Sequence, residues 1–483
     1  MQKRFFSSLA LSLFLNLLIK PFSVLVIDAG VQRVLGNEVY GNYFVLLSLT
    51  LVFNIFLDLG LNNYTTREIA KDESKLALHV SRIVYLRLIL FGVYIILVCS
   101  TALLIGIGKE SLQVLGLLII NQFVIQSIAF IRSIFSGLHR FNIDTIISVL
   151  DRLLLICMVG WALVFNRDLI SPFSFVLAQT FGYFITLVVA LILLSKNLHK
   201  LKLTWEPHYV SDVLKKSIPF AVLVLLMLLY NRSDVVLLKQ LSRSGDFQAG
   251  IYAQGYRLLD ALYMLGMIFA GLLYPVFSRM IHRENQEIGS LIQVSGKLLI
   301  GGSLGIMILS VSNADYLLNL IYGPQVTPQS ISVFSLLMVG FFFMSFNFIF
   351  GTLLTAKGAL RLLNLISLGG VIVSVSMNIF LIPKFGAMAC AYVTILTQAV
   401  VSFLLLIISK INLNQNLSLR SWLLLIGFGL LTFAITQLLM RLNINQPLVF
   451  ILDIGLIFCL SLLFSVIDFR SLKKIWQLNE SGQ

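Results

Sequence analysis

Charge is what this sequence has least of: Asp, Glu, Lys and Arg make up 12% of its 483 residues, about half of what a soluble chain carries. Histidine (5), cysteine (4) and proline (9) are also few. The cysteines Cys99, Cys157, Cys390 and Cys459 all fall in apolar stretches without a CxxC pair, which excludes a disulfide framework and a thiolate metal site. The histidines His79, His139, His199, His208 and His282 are expected in loops or at helix edges, none inside an apolar run near a carboxylate. GxSxG, HExxH, Walker A and paired-acid motifs are absent. The sequence therefore implies no enzyme, no metal and no cofactor, and it offers no nucleotide to power transport.

What is abundant is apolar surface. Hydrophobic residues reach 58%, with 37 phenylalanines. A soluble fold cannot hide that much, because a large share of its residues must face water. Lipid can accept it. At about 20 apolar residues per crossing, helical spans are expected near 7–33, 40–62, 82–106, 111–137, 145–166 and 171–195. After a basic linker at 196–217, eight more follow near 217–239, 248–276, 291–313, 329–355, 361–382, 386–408, 421–440 and 447–468. The fold class expected is an all-α polytopic membrane protein of about fourteen helices. The basic start and apolar run of the N-terminus could be a signal peptide, but Lys20-Pro21 interrupts it, so it is taken as an uncleaved first span.

The net charge of +14 resides in short loops, which argues against nucleic acid. Alternating the loops places 23 of the 35 basic residues on one side, Arg152 among them, seven on the other, and five inside spans. That asymmetry predicts cytoplasmic termini. A weak internal repeat is also visible. Lys20-Pro21-Phe22 and Ile218-Pro219-Phe220 open corresponding spans, and Gly41-Asn42-Tyr43 and Gly250-Ile251-Tyr252 open the next. Six spans separate the copies, so two six-helix lobes (1–200 and 201–412) are expected about an axis along the membrane normal, with two extra helices in 413–483.

Ionisable residues inside spans are costly and mark function by default. Lys20 lies mid-span and is expected to face a cavity. Arg87 and Arg132 are close enough to a helix end to snorkel to the headgroups, and Asp28 and Asp453 close enough to the outer ends to be solvated. Arg257 and Asp260 share one helix face, as do Asn231 and Asp234, with Arg232 pointing elsewhere. Each pair is either an ion pair between helices or a cation presented to an anionic ligand. Asn54, Asp58 and Asn62 form a polar stripe, as do Gln122, Gln126 and Ser133; interhelical packing and cavity lining remain equally open for both.

The segments Arg33-Val34-Leu35-Gly36, Tyr40-Gly41-Asn42-Tyr43 and Asp58-Leu59-Gly60 resemble the opening of Wzx-type polysaccharide flippases. These belong to the multidrug/oligosaccharidyl-lipid/polysaccharide exporter superfamily. Asn231-Arg232-Ser233-Asp234 and Gly250-Ile251-Tyr252-Ala253 resemble that family's seventh and eighth spans. The resemblance implies alternating access in a bacterial inner membrane and undecaprenyl-diphosphate-linked oligosaccharide as cargo, for O-antigen, capsule or exopolysaccharide. It also implies a polysaccharide polymerase and chain-length machinery as partners. Lys20, Arg232 and Arg257 would meet the diphosphate in a central cavity. Asp58, Asn54, Asp234, Asp260 and Gln126 would be cavity-polar or ion-coupling residues. The last two spans would border a groove for the lipid tail. The first span lacks the adjacent Arg-Asp pair associated with lipid II flippases. A cation-coupled drug or metabolite exporter and a non-transporting assembly scaffold are the rival readings.

Overall fold

The computed structural model describes residues 15–72, 76–195, 207–282, 288–413, 417–442 and 444–468, and among them every regular element is a helix. Thirteen stretches are long and apolar enough to cross a membrane. The first, Leu15–Val52, has 38 residues, about 57 Å at 1.5 Å per residue, far beyond the roughly 30 Å of hydrocarbon. It breaks at Gly36, whose φ of 79° and ψ of 168° only glycine adopts without strain. Two helices result, α1 (15–35) and α2 (37–52). The expected all-α polytopic fold is the observed one.

Chemistry on the surface is inverted relative to a soluble protein. Leu104 is 84% exposed, while Gln32, Asn378 and Asp453 are 0% exposed. Lipid favours that arrangement, since apolar side chains lose nothing by facing it and polar groups must find partners inside.

The chain forms two compact units, Met1–Gly250 and Ile251–Gln483. In the first, α1 passes straight through Pro21 and absorbs the missing donor in a π-helical turn, Ser23–Asp28, a usual accommodation. Lys20-Pro21 thus does not end the span. Helix α2 stops at Val52, ten residues before its expected end, and a 3-10 turn at Asn54–Leu57 follows. Leu59 (φ 45°) and Gly60 (φ 83°) then reverse local geometry into α3, Leu61–Lys71. The remaining helices are α4, Leu76–Ile105, α5, Lys109–Gly137, α6, Phe141–Phe165, α7, Pro172–Ser195, and α8, Pro207–Leu241. Helix α8 begins ten residues before the expected close of the 196–217 linker; residues 196–206 lie outside the described residues, as do the basic residues of the first fourteen. The core beneath α3, α4 and α5 is packed by Ile83, Ile131, Ile134 and Phe135.

One close approach organises this unit. Helix α9, Gly245–His282, crosses α2 through the two glycines of the internal repeat. A Cβ at Gly41 would lie 1.8 Å from the Asp246 carbonyl oxygen, and one at Gly250 would lie 1.9 Å from the Asn37 carbonyl oxygen. Only glycine fits at either position. The repeat is therefore physical at this point: its two copies supply the two halves of one backbone contact. Gln32 donates to the Gly250 carbonyl (2.8 Å), and Lys239 holds Asp246 (2.6 Å) and Asn42 (3.0 Å) across the same crossing.

The second unit holds the rest of α9 and α10, Ile288–Ser312, α11, Ala314–Tyr322, α12, Pro328–Phe346, α13, Thr352–Ala356, α14, Leu360–Phe385, α15, Ala387–Leu413, α16, Leu419–Met440, and α17, Gln446–Leu463. Helix α12 is packed by α10 on one side and α15 on the other. Its start is fixed by a capping box between Thr327 and Ser330. Gly301 and Gly305 on α10 let α16 and α17 approach: a Cβ at Gly301 would sit 2.5 Å from Val466, and one at Gly305 2.9 Å from Ile457. Small residues at such crossings are how helices gain contact in lipid.

Candidate functional site

The two polar stripes meet. The break after α2 lets Asn54 turn toward α5, where its amide donates to Gln122 and its carbonyl oxygen accepts from Gln126. One turn on, Asp58 accepts the backbone N–H groups of Gly60 (3.2 Å) and Asn62 (3.1 Å). Arg87 of α4 joins both stripes. It donates to Asn62 Oδ1 (3.0 Å) and to the Gln126 carbonyl (2.6 Å), stands 3.8 Å from Asp58 and lies 4.9 Å from the Phe130 ring centroid. Its side chain is 5% exposed, so it does not snorkel. Helix α4 begins at Leu76, six residues earlier than expected, and that places Arg87 three turns inside it. An arginine this deep needs acceptors and a counter-charge around it, and Asn62, Gln126 and Asp58 supply them. Asn54, Asp58 and Gln126 are thereby brought together.

A second group gathers around Lys20. Asn16, one turn earlier on α1, donates to Ser148 of α6 (3.0 Å) and so fixes α1 against α6. The Lys20 amine then lies within electrostatic reach of Arg132 on α5 and of Asp144, Asp151 and Arg152 on α6. Arg132 pairs with Asp144 (2.6 Å) rather than snorkelling alone. Arg152 sits 3.4 Å from Asp151 and 5.9 Å from the Tyr183 ring centroid. It is the twelfth of the 25 residues of α6, a mid-span arginine, not a loop charge as the loop count took it. Three cations here face Asp144 and Asp151, with Asp28 a third carboxylate within electrostatic reach of Arg152. The arginines keep 32% and 27% of their side-chain surface exposed and Lys20 is half-buried. The cations are matched in number by carboxylates, and part of the positive charge remains accessible.

On α8, Asp234 is buried and accepts the Val235 backbone N–H (2.8 Å), while Arg232 beside it is half-buried. In the second unit, Arg257 stands 3.9 Å from Asp260, with side chains 8% and 15% exposed. The shared helix face expected of this pair is present, with the ion pair formed. Two further expectations are corrected. Asp28 is 5% exposed and Asp453 0%, so neither is solvated. Asp28 lies in the π-turn within electrostatic reach of Arg152, and Asp453 is held by Asn313 (2.9 Å). Helices α10, α16 and α17 also form an open apolar cleft of about 250 Å³ lined by Leu309, Phe428, Ile457 and Phe458 among others.

Residues 7–281 match the model of a family described as "Polysaccharide biosynthesis protein", which is more than half of the 483 residues. The chain belongs to this family. No curated protein matches it. Among solved structures, the family fold seen here is similar to that of the lipid II flippase MurJ in its inward closed conformation, with a TM-score of 0.67 over 96% of this chain and 99% of that one at 14% identity. It is also similar to an inward-facing multidrug-resistance MATE transporter of the MOP superfamily (TM-score 0.62, 13% identity, 82% of this chain, 94% of that one). A mutant of the Vibrio cholerae MATE transporter VcmN matches less closely (0.54, 14% identity, 85% and 97%). At these identities the likeness is one of fold: this family member has the multi-pass fold of MOP-superfamily transporters and flippases.

Proposed function

We propose that the protein flips an undecaprenyl-diphosphate-linked oligosaccharide across a bacterial inner membrane, by alternating access, for assembly of a surface polysaccharide. The observation that carries this reading is the group at Lys20, Arg132 and Arg152, where three cations gather among membrane-spanning helices and both arginines stay partly exposed. Accessible cations in a low-dielectric setting attract an anion strongly. Arginine forks and a lysine suit the several oxygens of a diphosphate. In this reading Arg232 and Arg257, like Lys20, meet the diphosphate. Asp58, Asp234 and Asp260 tune that binding or couple an ion, and the cleft at α10, α16 and α17 takes part of the isoprenoid tail. Both termini and the 196–217 linker face the cytoplasm, and a polysaccharide polymerase receives the flipped product.

A deletion strain supplies the test. Surface glycan should be lost and lipid-linked intermediate should accumulate, with the native gene restoring both. Lys20→Ala and Arg152→Gln should insert normally and restore neither. Normal glycan from both variants would sink the reading. For orientation, an engineered cysteine within 207–215, in a background without the four native cysteines, should label from the cytoplasmic side. Labelling from the periplasm would reverse the topology.

The MATE fold supports a second reading, export of a drug or metabolite. It predicts an unchanged surface glycan and altered drug tolerance in the same deletion strain.

A further inference from the structure

The carboxyl group of Asp453 has no role in the cation group or in the Arg87 network. It lies in α17 and is 0% exposed. One oxygen, Oδ2, accepts from Asn313 Nδ2 at the end of α10 (2.9 Å). The other, Oδ1, is buried with no hydrogen-bond partner. Beside it stands the hydroxyl of Thr436 on α16, buried, within reach of the carboxyl and with no other partner. Three helices thus aim polar groups at one point.

The charges on the surrounding helices do not compensate. Helix α10 carries Lys297, α11 carries Asp315 and Tyr316, and α16 carries Arg420, with Arg441 just past its end. Lys297 and Arg420 are each sixteen residues, about 24 Å along a helix, from Asn313 and Thr436. Asp315 accepts from Asn319 (2.8 Å), and Tyr316 packs on Phe450 (5.7 Å). Among the described residues no ion pair reaches Asp453. An ionised carboxylate met only by two neutral side chains, Asn313 and Thr436, in such a place is strongly disfavoured, and the group neutralises instead.

We propose that Asp453 is a proton-binding site. A proton taken from water resides on Oδ1 and is donated toward the Thr436 hydroxyl, while Oδ2 remains the carbonyl oxygen that Asn313 donates to. Every group at the junction is then used according to its chemistry. A metal cation fits less well, because Asn313 presents N–H groups where a cation needs oxygen. Leu309 and Ile457, one turn from Asn313 and Asp453 on their helices, line the apolar cleft. The protonated junction therefore closes one end of that cleft by tying α10 to α17. Loss of the proton puts a charge there that draws in water and frees α17.

Infrared spectroscopy of the full-length protein in nanodiscs tests this. Wild type at pH 7 should show a protonated-carboxyl carbonyl band that moves on ¹³C-aspartate labelling and disappears as pH is raised. The band should be absent in Asp453→Asn. In Asn313→Ala it should persist at higher frequency, because the carbonyl loses its donor. That second variant and the labelled wild type keep the test open should Asp453→Asn insert poorly. Hydrogen exchange in α17 should accelerate above the pH at which the band is lost. A wild-type spectrum at pH 7 with no protonated aspartate band would overturn the proposal. So would a carboxylate band from Asp453 that shifts on adding sodium, or a protonated-aspartate band unchanged in both variants.

Discussion

The first unit holds two polar clusters built from the same residue types, and they solve opposite problems. Around Arg87 every side chain is matched: one guanidinium faces one carboxylate, and four amide side chains complete the bonding of both stripes. Around Lys20 the group is more open, with three cations among three carboxylates and the arginines about a third exposed. The first arrangement fastens a broken helix to its neighbours. The second keeps charge available for something that arrives. Enclosed, satisfied polarity inside a membrane protein marks construction, and accessible polarity marks a ligand.

The comparison breaks most severely at Arg87. Arg87→Ala leaves Asp58 buried with no counter-charge, a class of change that destabilises by about 3–5 kcal/mol. The variant should be degraded or should melt far below wild type in a detergent thermal-stability assay. Adding Asp58→Asn should recover part of that loss, since a neutral pair needs no compensation; a double variant as unstable as the single would remove the ion pair from the account. Close behind is Gly41→Ala, where the Asp246 carbonyl leaves no room for a methyl group. It should cost stability and transport together, and a fully active variant would show that α2 and α9 do not cross so closely.

Lys20→Ala and Arg152→Gln sharpen the other side. Both should abolish transport while lowering melting temperature little, because the charges of their cluster are partly exposed and so contribute little to stability. A large stability loss from either would place the group with the Arg87 network. Arg257 is intermediate. If it meets the diphosphate, Arg257→Lys keeps partial transport and Arg257→Ala abolishes it. If it serves Asp260 alone, Arg257→Ala/Asp260→Asn recovers both expression and transport. The smallest effect is expected at Arg132–Asp144. Its partners are 32% and 20% exposed, and pairs so accessible contribute about 1 kcal/mol or less; Asp144→Asn should leave the melting temperature nearly unchanged.

Much of this architecture can be read in the sequence, because lipid imposes a simple rule on apolar length. The Gly36 reversal, the stripes at four-residue spacing and the repeat glycines Gly41 and Gly250 are all visible as local patterns. The hub of the network is not. Arg87 resembles a headgroup anchor because hydropathy hides the first turns of α4, where Leu76, Val80 and Ile83 pack inward beside polar neighbours. Asp453 resembles a solvated end residue for a different reason: its burial depends on Asn313, 140 positions away. Depth along one helix is written locally, whereas enclosure by other helices is not.

The account turns on whether the cations around Lys20 bind a diphosphate. Thermal-shift titration of the purified full-length protein with undecaprenyl diphosphate, undecaprenyl phosphate and undecaprenol addresses this directly. Stabilisation should fall in that order, and the diphosphate advantage should vanish in Lys20→Ala/Arg152→Gln. Equal stabilisation by uncharged undecaprenol, or an undiminished diphosphate effect in the double variant, would contradict it.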